Sequence, residues 1–344
     1  MDKKKLLWFI GSAIIIIFLV VLVVVLTSQK KASLVKNPVN DLMELTSLDS
    51  PNNKLYYLEK NSQTIKKWDL TTNKISNIIK VSDKAVLNIS YSPDLKQAVV
   101  QTVNPEDYAD SQNYLIDLNT GKIIKYLSEY MSSITWSPDN KMLAYQYSNP
   151  NNTDNFLSII NLNDFSFKNL QTLEDDYIHI DWVDGNKLVY YPAPTEASKV
   201  DVNLFNLQTN EKSNLLKDLF VTNLKSFPND GKLIMNTSED YEQAPLLTVY
   251  DNKTSKLSKF RALINTATAE LYKKDTIIAT KNGGDDNEQE SQVSEQFYLV
   301  SLKNGIQNKL KINLGKGLKV QKILTPINKN LFFIVDGQLY KTKM

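Results

Sequence analysis

The chain contains no cysteine, a single histidine (His179) and a single arginine (Arg261) among its 344 residues. Without cysteine there can be no disulfide, no thiolate metal site and no cysteine nucleophile, and the redox compartment stays open. With one histidine, catalysis of the Ser-His-Asp type would have to use His179, within Tyr177-Ile178-His179-Ile180-Asp181. No Gly-x-Ser-x-Gly elbow accompanies it, so His179 reads as a structural residue of an inner strand. His-Glu-x-x-His, EF-hand, Gly-x-Gly-x-x-Gly and phosphate-loop patterns are also missing. No catalytic, cofactor or metal residue is therefore assigned. Charge of one sign is lacking too: the formal net charge is +2, far from the basic excess of a nucleic-acid binder.

What is present begins with an apolar run. From Leu6 to Leu26 only Gly11 and Ser12 interrupt it, and roughly 21 helical residues at about 1.5 Å each span a hydrocarbon core of about 30 Å. The run exceeds the apolar region of a cleavable signal peptide, and no small-x-small site follows it. The expected organisation is a cytoplasmic tail at 1–5, a transmembrane signal anchor at 6–27 and a polar linker at 28–41. A folded domain at 42–344 follows, outside the cytoplasm, on a single-pass cell-membrane protein. Lysines flank the run on both sides (Lys3, Lys4 and Lys5; Lys30, Lys31 and Lys36), so the positive-inside asymmetry that would orient it is weak.

The folded part repeats. Tyr91-Ser92-Pro93-Asp94, Trp136-Ser137-Pro138-Asp139, Trp182-Val183-Asp184-Gly185 and Phe227-Pro228-Asn229-Asp230-Gly231 each close a strand and open another. Fainter copies surround Pro51, Asp275 and Pro326. Pro93 and Pro138 are 45 apart, Trp136 and Trp182 are 46 apart, as are Asp184 and Asp230. This is the size of one four-stranded propeller blade. A second hairpin recurs in six copies, as at Asp69-Leu70-Thr71-Thr72 and Asp117-Leu118-Asn119-Thr120-Gly121.

These turns resemble the aromatic-Ser-Pro-Asp-Gly repeats of TolB-like β-propellers. The period is WD-repeat-like, but the Gly-His signature of WD repeats would need a histidine in most copies. The resemblance implies an all-β, seven-bladed propeller, with six or eight blades as alternatives, and says little about chemistry. Seven first hairpins against six second ones leave the last blade one strand short, and residues 33–36 are expected to supply it and close the ring.

A blade model sorts the charges by face. Glu106, Asp107, Tyr108, Glu174, Asp175, Asp176, Glu239, Asp240, Tyr241 and Glu242 fall on loops opposite the hairpin turns, whereas lysines such as Lys96, Lys141, Lys232 and Lys303 follow the turns. The acidic face suits a basic protein partner, with the lipid bilayer engaged through 6–27 and no nucleic acid. The expected function is a non-enzymatic binding or scaffolding module at the membrane surface. The alternative is a cell-envelope hydrolase or lyase using paired carboxylates, or a subunit of a larger membrane complex. An acid-rich insertion at 281–295 decorates the sixth repeat.

Overall fold

The computed structural model describes residues 30–35, 47–49, 52–59, 62–81, 84–149, 154–175, 177–193, 198–240, 243–262, 264–281, 296–310, 312–313, 320–327, 330–335 and 337–344. The expected anchor at 6–27 and most of the insertion lie outside them. Among the described residues no helix is long and apolar enough to cross a membrane.

The architecture is an all-β propeller. Five four-stranded sheets stand separately, and one seven-stranded sheet accompanies them. The first sheet is Ser47–Asp49, Lys54–Glu59, Thr64–Asp69 and Lys74–Lys80; the second is Ala85–Tyr91, Gln97–Asn104, Asp107–Asp117 and Ile123–Leu127; the third is Met131–Trp136, Met142–Ser148, Asn155–Asn161 and Phe167–Leu173. The expectation of seven separate blades is corrected here to five. Two repeats are fused through one continuous strand, Glu211–Phe227. Its first half pairs with Val200–Asn206 as far as Leu219, and from Phe220 it pairs instead with Lys232–Ser238. Where a loop would normally intervene, Asp218 takes a positive φ of 51° and its N–H donates to Asp201 Oδ1 at 3.0 Å.

The repeated turn has a local cause. Ser92 and Ser137 are buried, and each hydroxyl donates to the turn aspartate, at 2.9 Å to Asp94 and 2.7 Å to Asp139. The same oxygens accept the N–H that opens the next strand, from Gln97 at 3.0 Å and Met142 at 2.9 Å. In the second hairpin Asp69 and Asp117 each accept two backbone N–H groups of their own turns, which together hold both carboxyls below their ordinary range. Gly121 is required there: at φ +69° a Cβ would lie 2.1 Å from the Ile78 carbonyl oxygen of the preceding sheet.

Second strands are buried on both faces, as in Leu55–Leu58, Leu188–Tyr191 and Leu233–Thr237. They read as apolar runs because a neighbouring sheet covers each side. Fourth strands such as Lys74–Lys80 are mostly exposed. Apolar clusters fill the spaces between successive four-stranded ladders. One cluster sets Leu55, Tyr57 and Trp68 against Leu324, Phe332 and Ile334, joining the first repeat to the last. In the last sheet Ser33–Leu34 forms the fourth strand, with Ser33 opposite Lys341 and Leu34 opposite Tyr340. The Val35 N–H extends the ladder to the Leu339 carbonyl at 3.0 Å.

Candidate functional site

The first strands of successive repeats line the centre of the ring, and the residue just before each turn aromatic falls in one slot: Ser90, Thr135, Asp181 and Ser226. Hydrogen bonds at this level tie repeat to repeat. Ser90 Oγ donates to the Ile134 carbonyl at 3.3 Å, Trp136 Nε1 to the Ser90 carbonyl at 2.9 Å, and Trp182 Nε1 to the Thr135 carbonyl at 3.4 Å. The aromatic of the turn thus reaches back to the preceding repeat.

Asp181 is the ionisable member of this belt. Its Oδ1 accepts from Trp182 N at 2.8 Å and from Thr135 Oγ1 at 3.4 Å, and its Oδ2 accepts from Ser226 N at 3.3 Å. Burial pushes its pKa up, and the donors from Ser226, Trp182 and Thr135 offset this only in part. His179 lies two residues earlier on the same strand face, about 7 Å along the strand. Its exposed imidazole stacks on Tyr191 with ring centres 4.9 Å apart, and burial of the ring's inner side lowers its pKa. Tyr191 is raised by burial and then by the charge of Asp181. One slot earlier, Ile89, Ile134 and Ile180 give way to Lys225 and Glu270, whose Nζ and Oε1 are 2.6 Å apart. Asp181 and Glu270 therefore reach the Phe220–Phe227 segment from opposite sides.

Reading His179 as purely structural misses its exposure, and the loop charges directed attention away from Asp181. The signal was in the repeat: a slot filled by Ser, Thr, Asp and Ser carries one charge. Of the acidic-face residues, Glu106, Glu174, Asp175, Glu239 and Asp240 are exposed. Asp107 and Tyr108 open the Asp107–Asp117 strand, and Asp176, Tyr241 and Glu242 lie outside the described residues. Glu106, Glu174 and Glu239 follow the ends of strands in three different sheets, so the fold spreads these groups around the rim.

On the hairpin-turn face the lysines are paired. Lys232 Nζ bonds Asp251 and lies 3.2 Å from Asp275 Oδ1, while Lys303 holds Asp275 Oδ2 at 3.1 Å. Burial pushes Asp275 up, but the hydrogen bonds and charges of Lys303 and Lys232 outweigh it and its pKa falls. Lys232→Met is expected to cost about 1–2 kcal/mol at pH 7. Because the folded-state values of Asp275 and Asp251 are depressed, this increment is present above the ordinary carboxyl value of about 3.9 and is lost as pH falls through the folded values. Urea melts of both proteins at pH 7 and pH 2.5 check it: the gap should close in acid.

No family model matches the sequence, and no curated protein matches it. Solved structures do. An oligogalacturonate lyase in complex with manganese superposes with a TM-score of 0.58 at 17% identity, over 78% of this chain and 79% of that one. TolB from Acinetobacter baumannii gives 0.50 at 12% identity, over 86% and 64%. A prolyl endopeptidase gives 0.64 at 11% identity, over 86% of this chain and 46% of its own. The chain thus spans under two thirds of TolB and about half of the peptidase. At these identities the likeness establishes the propeller fold, TolB included. The expectation of a non-enzymatic protein is corrected to this extent: solved structures of this fold include a lyase and a peptidase as well as TolB, so the fold favours a binding module no more than an enzyme. A lyase-type metal is another matter: among the described residues no three His, Asp or Glu converge to hold an ion.

Proposed function

We propose that the protein is a seven-bladed propeller enzyme of the lyase or hydrolase class that acts on a glycan at the mouth of its channel. Asp181 is the proton donor and His179 the base. The observation that carries this reading is the pairing of an acid and a base on one strand face: a carboxyl whose pKa burial raises and an imidazole, two residues earlier, whose pKa burial lowers. The count of seven treats the fused sheet as two blades, supported by the change of partner between Leu219 and Phe220.

For a uronate substrate the chemistry balances without a metal. His179 takes the proton from the carbon next to the carboxylate, the electron pair forms a carbon–carbon double bond, the bond to the leaving oxygen breaks, and that oxygen takes the proton of Asp181. The lyase neighbour's substrate class makes oligogalacturonate the first substrate to assay. Neutral oligosaccharides test the hydrolase branch, in which Glu270 would be the second carboxylate. Absorbance of an unsaturated product, or new reducing ends, identifies the branch. No turnover on either class at any pH from 4 to 8 overturns the proposal.

The same reading holds the enzyme at a membrane through 6–27. The closing strand runs antiparallel to Gln338–Lys343, so the chain enters from the hairpin-turn face and turns the lysine-rich side toward anionic lipid. Removing residues 1–27 should shift the protein from the membrane pellet to the supernatant.

A further inference from the structure

A cavity of about 790 Å³ lies between the fifth and sixth repeats, and neither His179 nor Asp181 is among its lining residues. The ends of Lys256–Phe260, Thr276–Lys281 and Gln307–Lys309 converge on it. Among the described residues its wall carries Lys259, Arg261 and Lys281 and one carboxylate, Glu239. That carboxylate is 79% exposed and 3.9 Å from Lys259, too solvated to neutralise the wall. The described lining thus carries a surplus of two positive charges on the face where the loop sequence promised acids.

Arg261 is the chain's only arginine against a background of lysine, and its backbone is pinned from both sides. Gln307 Nε2 donates to the Arg261 carbonyl at 3.1 Å, and Ala262 N donates to the Phe260 carbonyl at 3.0 Å. A guanidinium differs from an ammonium in its planar fork, which takes a carboxylate through two parallel hydrogen bonds. Tyr298 and Gln307 add a ring face and an amide to the wall, and the volume suits a ligand of several sugar rings.

We propose that this cavity is a second binding site, for a short acidic oligosaccharide whose carboxylates meet Arg261 and the two lysines while its hydroxyls meet the amide and ring. It is distinct from the channel site and does not rest on the chemistry assigned to Asp181.

Titration calorimetry of the detergent-solubilised full chain with trigalacturonate, maltotriose and inorganic phosphate tests this. Trigalacturonate should bind at least tenfold more tightly than either control, and its affinity should drop about tenfold on raising salt from 0.05 to 0.3 M. Arg261→Gln should weaken binding at least tenfold, and Arg261→Lys, which keeps the charge but loses the fork, severalfold. Equal binding of maltotriose, equal binding of phosphate, or unchanged affinity in Arg261→Gln overturns the site. Arg261-dependent binding without turnover on any glycan keeps this site and removes the channel chemistry; turnover without Arg261-dependent binding does the reverse.

Discussion

Asp181→Asn lowers glycan turnover by about 10²–10⁴-fold, the usual contribution of a positioned general acid, while raising the melting temperature at pH 7. The two effects have one origin. Burial makes the charged form of Asp181 unfavourable in the folded ring, so its folded pKa lies above the unfolded value of about 3.9. Below the unfolded value both states hold the proton and the group is neutral to stability. As pH rises, the unfolded chain ionises freely while the folded one resists, and stability is lost until pH passes the folded value. Asparagine escapes that loss, its Oδ1 accepting from Trp182 N while its Nδ2 takes the place of the oxygen that accepts from Ser226 N. The variant and parent should melt together at pH 3 and separate at pH 7, with the variant higher. Matched melting temperatures at pH 7, or full activity in the variant, contradict the assignment. The pH profile carries a further constraint: with Asp181 shifted up and His179 down, activity needs a pH at which His179 is neutral and Asp181 still protonated, so the rate falls on both the acid and the alkaline side. Loss of neither limb in Asp181→Asn would falsify the acid–base pair.

Deleting residues 32–36 is the second large effect, a loss of about 3–5 kcal/mol and roughly 10 °C in melting temperature. The pairing of Ser33–Leu34 with Gln338–Lys343 and the Val35 N–H to Leu339 bond disappear. Val35 also leaves the cluster that joins the first repeat to the last, and Ala32 leaves its neighbour. The Gln338–Lys343 strand then becomes an open edge that pairs readily with another chain. Static light scattering should show self-association of the deletion variant, and calorimetry its lower transition. Val35→Pro, which removes one donor, should lose only about 1 kcal/mol. An unchanged transition in the deletion variant would mean that closure adds nothing.

The repeat was legible because its turns are local. A Ser-Pro-Asp segment closes its own hydrogen bonds through Ser92 or Ser137, whatever surrounds it, and the 45-residue spacing follows from four short strands and their loops. The strand deficit was legible as well, since counting hairpins exposes an unpaired edge. Fusion of two repeats was not: nothing in Leu216 to Phe220 marks where one ladder ends, because the change of partner depends on which strands approach from either side. The second strands carry no inward–outward alternation in their sequence, because Leu188–Tyr191 and Leu233–Thr237 are covered on both faces.

Charge was the least legible. Counting loop acids marked one face as acidic, yet Lys259 and Arg261, at the end of one strand, meet Lys281, at the end of another, on that side. On the opposite face Lys232 and Lys303 are met by Asp251 and Asp275. A residue's sign is written in the chain, but the field at a point depends on which distant residues the fold assembles there.

By itself the sequence determined the propeller class, the turn chemistry, the apolar N-terminal run and the need for a closing strand, because each rests on contacts among neighbours or on a count. Only the tertiary structure decided that Asp181 stands in a desolvated belt beside His179, and that a lone arginine faces a cavity. Both are matters of burial and of distance between residues far apart in the chain, and no local pattern encodes either.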